Sequence, residues 1–315
     1  MKKLQTIILL GLLLFIMDGK AQLLPQFSQY MFCDYLLNPA IGGTHDYWQI
    51  RTNYRHQWAG ITDAPKTYML GTYGPHKRLP MGYGGYIFND VLGPFSSTGV
   101  YGSYAYNIQI TGDIRLSMGL FAGFIMEKVD LSVLDPSDDM YLANGESVNK
   151  TYPDGSLGTY LYTSQYFFGI SANHLFFNNT SLSEVMDEFE GLEKSRIKQY
   201  FNIQGGYKYN INRNFDLVPT ILIKTGINYD FMTDISVRTI YQKQVWGGMS
   251  MRYNFKNPEA LMIFVGYNYN DMVNIGYSYD LTLSQLNNSS NGSHEIMIGV
   301  KFKDIRRSRS KRKIR

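Results

Sequence analysis

The chain has 315 residues, a formal net charge of +4 and a mean hydropathy of −0.23, a combination that excludes a bundle of apolar membrane helices. Aromatic residues make up 15% of it, with 26 tyrosines and 30 glycines, a bias that fits a membrane β-barrel better than a soluble globule. The basic character is confined to the ends: residues 1–21 carry a net +2 and residues 304–315 a net +6, which leaves the body at −4 with no cationic face for nucleic acid.

Residues 1–21 read as a secretory signal peptide. Lys2 and Lys3 precede an apolar run over residues 7–17, and Gly19-Lys20-Ala21 offers a small-x-small cleavage site before Gln22. The run falls short of the about 20 residues a spanning helix needs. Residues 22–46 form a lead-in. Phe27, Tyr30, Met31, Phe32, Tyr35 and Leu36 make it too apolar for a free tail, and Asn38-Pro39 marks a turn. It is expected to pack across the periplasmic mouth of a barrel or into its lumen. Cys33 is the only cysteine, so no intrachain disulfide forms.

From residue 47 to 303 the dominant signal is two-residue alternation. Leu116, Met118, Leu120, Ala122, Phe124 and Met126 share one face, although Phe121 and Ile125 break the pattern on the other. Leu261, Ile263, Val265, Tyr267 and Tyr269 alternate with smaller neighbours, as do Ile275, Tyr277, Tyr279, Leu281 and Leu283. In the last strand Ile296, Ile298, Val300 and Phe302 point one way, and Glu295, Met297, Gly299 and Lys301 the other. A soluble sandwich alternates too, so parity decides. Strands are placed near 47–56, 67–75, 82–89, 97–109, 114–128, 156–163, 166–177, 198–210, 215–225, 233–242, 245–253, 260–269, 273–283 and 294–302. Splitting 156–177 at Ser164-Gln165 gives an even fourteen, the count that returns both barrel ends to one side of the membrane; twelve is the fallback. Thr111-Gly112-Asp113, Asn212-Arg213-Asn214 and Asn270-Asp271 then become tight inner turns. The fold class is thus all-β, a transmembrane antiparallel barrel of the bacterial outer membrane.

Two outer loops are long. Residues 130–155 are expected to be irregular. Asp135, Asp138, Asp139 and Glu146 within them fit a solvated acidic loop better than a calcium site, since their spacing departs from the EF-hand pattern. Residues 181–196 read as a short helix with Ser181 and Glu184 as a capping box. Its face of Val185, Phe189 and Leu192 is expected to pack on the rim or plug the lumen. Beyond the last strand, Arg306, Arg307, Arg309, Lys311, Arg312, Lys313 and Arg315 form a basic tail over residues 304–315, suited to a periplasmic acidic partner or anionic headgroups, or else simply solvated.

No catalytic constellation is visible. His45, His56, His76, His174 and His294 are scattered without metal-ligand spacing, and there is no nucleophile elbow, phosphate loop or HExxH. No cofactor or metal is expected. Gly82-Tyr83-Gly84-Gly85 is read as easing strand curvature. The loop NYRHQWAGITDAPKT, residues 53–67, turns between the first two strands. There Arg55 and Trp58 flank Gln57, and Pro65 re-enters the extended chain. A buried Arg55 guanidinium held by cation–π contact and loop carbonyls is one reading, an ordinary interfacial loop the other.

The segments SQYMFCDYLLNPAIGG (28–43), NYRHQWAGITDAPKT (53–67), GYGGYIFNDVLGPFSS (82–97), VPTILIKT (218–225), IGYSYDLTLSQL (275–286) and GSHEIMIGVKF (292–302) together resemble the PorP/SprF family of type IX secretion. The resemblance implies a non-enzymatic accessory of the secretion apparatus in the outer membrane, with both termini periplasmic. It implies partners among the other type IX components, through a periplasmic peptidoglycan-binding lipoprotein. It also implies a secreted surface protein with a C-terminal sorting domain, in some members a gliding adhesin. Asn38, Pro39, Arg55, Gln57, Trp58, Pro65, Asn89 and Asp90 are the candidates for rim architecture or passenger contact, and the basic tail for the inner partner. The competing function is an outer-membrane diffusion channel or transporter for small or apolar solutes.

Overall fold

The computed structural model describes residues 26–130, 147–176, 199–226, 229–254 and 257–302. The signal peptide, the acidic stretch with Asp135, Asp138, Asp139 and Glu146, the helix expected over 181–196 and the basic tail all lie outside them.

Each strand pairs antiparallel with its neighbour. The first seven are β1 (Trp48–His56), β2 (Lys66–Pro75), β3 (Met81–Leu92), β4 (Phe95–Thr111), β5 (Ile114–Asp130), β6 (Ser147–Tyr162) and β7 (Tyr166–Asn173). Then come β8 (Tyr200–Tyr207, continued after Lys208 by Tyr209–Asn210), β9 (Phe215–Gly226), β10 (Tyr229–Tyr241) and β11 (Val245–Asn254). β12 (Asn257–Tyr269), β13 (Val273–Thr282) and β14 (Ser293–Phe302) complete the set. β14 pairs with β1 from Trp48 opposite Phe302 to His56 opposite His294, and this closes the barrel at fourteen strands. Among the described residues every strand is then paired on both sides, which is what a sheet in hydrocarbon requires.

The burial pattern is that of a soluble protein turned inside out. In β1, Gln49, Arg51, Asn53 and Arg55 are buried while Ile50 between them is exposed. In β14, Glu295 and Met297 are fully buried, and Ile296, Ile298 and Phe302 face outward. Ile263, Val265, Tyr267, Tyr269, Ile275, Tyr277 and Leu281 belong to the same exposed belt. A sandwich would bury these apolar faces; here they meet lipid.

The even count depends on the link between β6 and β7. Thr163 makes it a hairpin: its N–H donates to the Tyr166 carbonyl at 2.9 Å, and its hydroxyl accepts from the Gln165 and Tyr166 amides. At the same end Asn270 and Asp271 have φ of 49° and 55°, and Gln242 and Lys243 have 48° and 61°. Paired left-handed residues match the twist of two-residue hairpins. This is the short-turn end. The links over 57–65 and 283–292, and those containing the longest undescribed segments, lie at the other end. One expectation is corrected there. Residues 147–155 are not irregular but continue β6, paired with β5 as far as Asp130 opposite Ser147. Val129, Phe95 and Val148 pack together on this extension, so the ladder has an apolar contact to hold it.

Candidate functional site

Inside the barrel lies the lead-in. It contains one turn of α-helix, α1 (Asp34–Leu37), then a short 3₁₀ helix (Pro39–Gly43). Along it Phe27, Tyr30, Cys33, Tyr35, Leu37, Ala40 and Ile41 are buried. Of the two placements open from sequence, the lumen is the one observed.

Its direction is set by its partners. Gln26 and Ser28 meet Arg252, Asp280 and Glu295, a few residues from the long-loop ends of β11, β13 and β14. Gly43 meets Asn107 and Gly82, next to the short-turn ends of β4 and β3. The lead-in therefore threads the whole lumen before β1 begins. Residue 26 lies toward the long-loop end and residue 302 at the short-turn end.

Two arginines clasp its first residues. Arg55 Nη2 is 2.7 Å from Asp280 Oδ2 and Nη1 is 3.2 Å from Glu295 Oε2, all three side chains being at most 2% exposed. Arg55 Nη1 also donates to Ser28 Oγ at 2.6 Å, and Ser28 Oγ donates to Asp280. The Ser28 and Gln29 amides and Asn53 Nδ2 donate to the Glu295 carboxylate. Arg252 forms a two-point pair with Asp234 at 2.8 and 3.0 Å, and its Nη1 donates to Gln26 Oε1 at 2.6 Å. Arg55 is thus buried but held by carboxylates, not by the aromatic faces and loop carbonyls of the first of the two readings. The inward side of β1 aims it at the lumen, where β13 and β14 supply the acids.

Further along, the packing is apolar and close. Tyr35 stacks on Tyr73 with ring centroids 4.0 Å apart and meets Phe121 edge-on, and Ile125 joins the same cluster. Phe121, which broke the alternation in sequence, is a lumenal residue that the lead-in packs on, and Ile125 belongs to the same buried cluster. Wall glycines make room for its backbone. A Cβ on Gly82 would lie 2.2 Å from Gly43 Cα, one on Gly119 2.5 Å from Ala40 N, and one on Gly158 2.1 Å from Asn38 Oδ1. Gly82 therefore serves close approach to the lead-in, a role beyond the curvature expected of it.

At the short-turn mouth, burial with the Arg51 and Lys301 charges lowers His45, which is neutral at physiological pH.

The sequence candidates fall into two groups. Asn38 and Pro39 belong to the plug: Asn38 Oδ1 caps the 3₁₀ helix at the Ala40 amide, and its Nδ2 donates to the carbonyls of Thr159 and Ile170 across the β6–β7 pair. The others share the long-loop end of β1–β3. Gln57 is buried and donates its N–H to the Pro65 carbonyl at 2.9 Å, while the Trp58 amide donates to Ser293 Oγ. Ala59 exchanges backbone bonds with Gly292 and Asn291, and the Gly93 amide donates to the Asp63 carbonyl, so this loop is stitched to both neighbouring loops. Asp90 accepts from Thr67 Oγ1 at 2.5 Å, and Asn89 donates to Thr98 Oγ1 at 2.8 Å. Sequence reasoning missed Asp234, Arg252, Asp280 and Glu295. The signal available was a charged residue on the inward register of an otherwise apolar strand. Among the described residues no cluster of His, Cys, Asp and Glu has the geometry of a metal site.

Solved structures with this architecture are outer-membrane barrels. The toluene transporter TbuX of Ralstonia pickettii aligns with a TM-score of 0.52 at 9% identity, covering 88% of this chain and 94% of that one. A FadL homologue of Pseudomonas aeruginosa gives 0.46 at 12% identity, with 90% and 95% covered. Omp33 of Acinetobacter baumannii gives 0.46 at 9%, with 82% and 97% covered. At such identities the first likeness speaks for the fold alone, and the other two carry no further argument. No curated protein matches the sequence. The family model described as type IX secretion system membrane protein PorP/SprF matches residues 19–300, nearly all of the chain. A closed, lipid-facing barrel with that match belongs to the PorP/SprF family and is an outer-membrane component of type IX secretion.

Proposed function

We propose that the chain acts as a plugged adapter, not as a conduit. It helps export or anchor a cell-surface protein, in a gliding organism an adhesin, and ties the machinery to periplasmic peptidoglycan-binding partners. The observation that carries this reading is the lead-in clasped through the full length of the lumen. A barrel so filled is a rigid body whose two mouths are its working surfaces. The short-turn end, with the basic tail following β14, faces the periplasm, as short turns do in bacterial barrels. The long-loop end, with Gln57, Trp58, Pro65, Asn89 and Asp90 at its base, faces the passenger's sorting domain.

The test is a mild-detergent pull-down of the tagged full chain and of a version lacking residues 304–315, read by mass spectrometry, with single-channel recording alongside. The adapter reading expects secretion components and one large surface protein with the full chain, loss of the periplasmic ones on truncation, and no conductance. Recovery of the barrel alone, with steady conductance or uptake of an apolar solute, would transfer the protein to the channel class.

A further inference from the structure

The lumen is not filled evenly. On the short-turn side the lead-in leaves a cavity of about 290 Å³ between its residues 30–47 and the inner faces of β1 and β6 to β14. Arg51, Arg238 and Lys301 stand in its wall, and Asp34 is the only carboxylate among the described residues that line it. The contrast with the two clasps is sharp. Arg55 and Arg252 each reach a carboxylate within 2.8 Å. Arg51 instead donates to the neutral Gln49 Oε1, and Arg238 lies 4.7 Å above the Phe32 ring. Lys301 lies 5.2 Å above the Tyr47 ring. Arg51 Nη1, Arg238 Nε and Gln204 Nε2 have no hydrogen-bond acceptor among the described residues. Asn274 Oδ1 is an acceptor in the same condition.

Cations withdrawn from water need a counter-charge, and low-dielectric walls focus their field on the space they surround. A cavity of about 150 Å³ takes a benzene, so this one has room for an aromatic ring bearing an acid group. We infer that this cavity is a binding site for a small soluble organic anion, a carboxylate or phosphate ester. Its charge is met by Arg51, Arg238 and Lys301, and its apolar part by Phe32 and Tyr47. The site lies inside the barrel wall and at its aqueous mouth, which favours a soluble anion over a lipid headgroup. It is independent of the adapter role, because binding here needs no other protein.

The experiment uses the full chain in zwitterionic detergent, dialysed free of multivalent anions. Calorimetric titration is made with benzoate, with inorganic phosphate and with neutral benzyl alcohol. Benzoate and phosphate bind, more weakly as salt rises, and benzyl alcohol does not. Arg238→Gln and Lys301→Gln each weaken benzoate about tenfold or more, the loss of one charged hydrogen bond, while the barrel keeps its resistance to SDS. Equal binding of benzoate and benzyl alcohol, absence of binding by both anions, or binding unchanged in both variants overturns the inference. So does a co-purified anionic phospholipid that excess benzoate fails to displace. The pull-down above decides the adapter reading separately.

Discussion

Replacing Arg55 with methionine isolates the clasp. It removes the cation but keeps a flexible apolar chain of similar reach, and it leaves Asp280 and Glu295 facing each other at 2% and 0% exposure. Stripping one partner from a buried pair costs about 3–5 kcal/mol, because the stranded charge has lost its solvation twice over. The barrel ladder does not depend on this side chain, so the cost falls on docking of the lead-in. At about 1.4 kcal/mol per tenfold, the undocked population rises by roughly a hundred- to a few thousand-fold. Cys33 is a built-in reporter, 2% exposed and beside Asn53 on the lumen wall. Its maleimide labelling rate should climb by that factor, with amide exchange over residues 26–46 rising in step. The triple variant Arg55→Met, Asp280→Asn, Glu295→Gln removes the stranded charges and should return the rate to within about tenfold of the parent. A folded single variant labelled at the parental rate, or a triple variant labelled as fast as the single, would refute the clasp.

A further outcome follows from the same packing. Gly119→Val puts atoms where the Ala40 amide already sits, 2.5 Å from the first added carbon, at a cost of about 1–3 kcal/mol. Cys33 labelling should then quicken about tenfold or more, while Gly102→Ala, whose Cβ would meet only the Ala122 carbonyl at 4.0 Å, should leave it unchanged.

The barrel was legible in the sequence because membrane strands write their environment at a period of two. Ile296, Ile298 and Phe302 were readable as one face without any knowledge of their neighbours, whereas the turn at Ser164-Gln165 was placed by the need for an even count and is closed in the structure by Thr163. The lumen was not legible to the same degree. Arg55 and Asp280 are 225 residues apart, and Gln26 and Arg252 are 226 apart. Such pairs depend on which strands face one another across the closed ring, and no local pattern encodes that. What the sequence did show was the exception: Phe121 and Ile125, apolar on a face that ought to be polar, belong to the buried cluster that the plug joins.

The position of the clasp also says when it can form. Arg55 lies on the first strand, Glu295 on the last and Asp280 on the one before it, so Ser28 and Gln29 grip both sides of the seam that closes the barrel. Before β1 and β14 pair, these residues are separated by the whole chain, and the buried carboxylates have no partner within reach. The Ser28 and Gln29 contacts are complete only when β1 and β14 are paired, and they then bridge the seam from inside through charge-assisted bonds that a strand ladder alone lacks. An open channel would need the same lumen free, and its wall glycines at 82, 119 and 158 would have no backbone to admit.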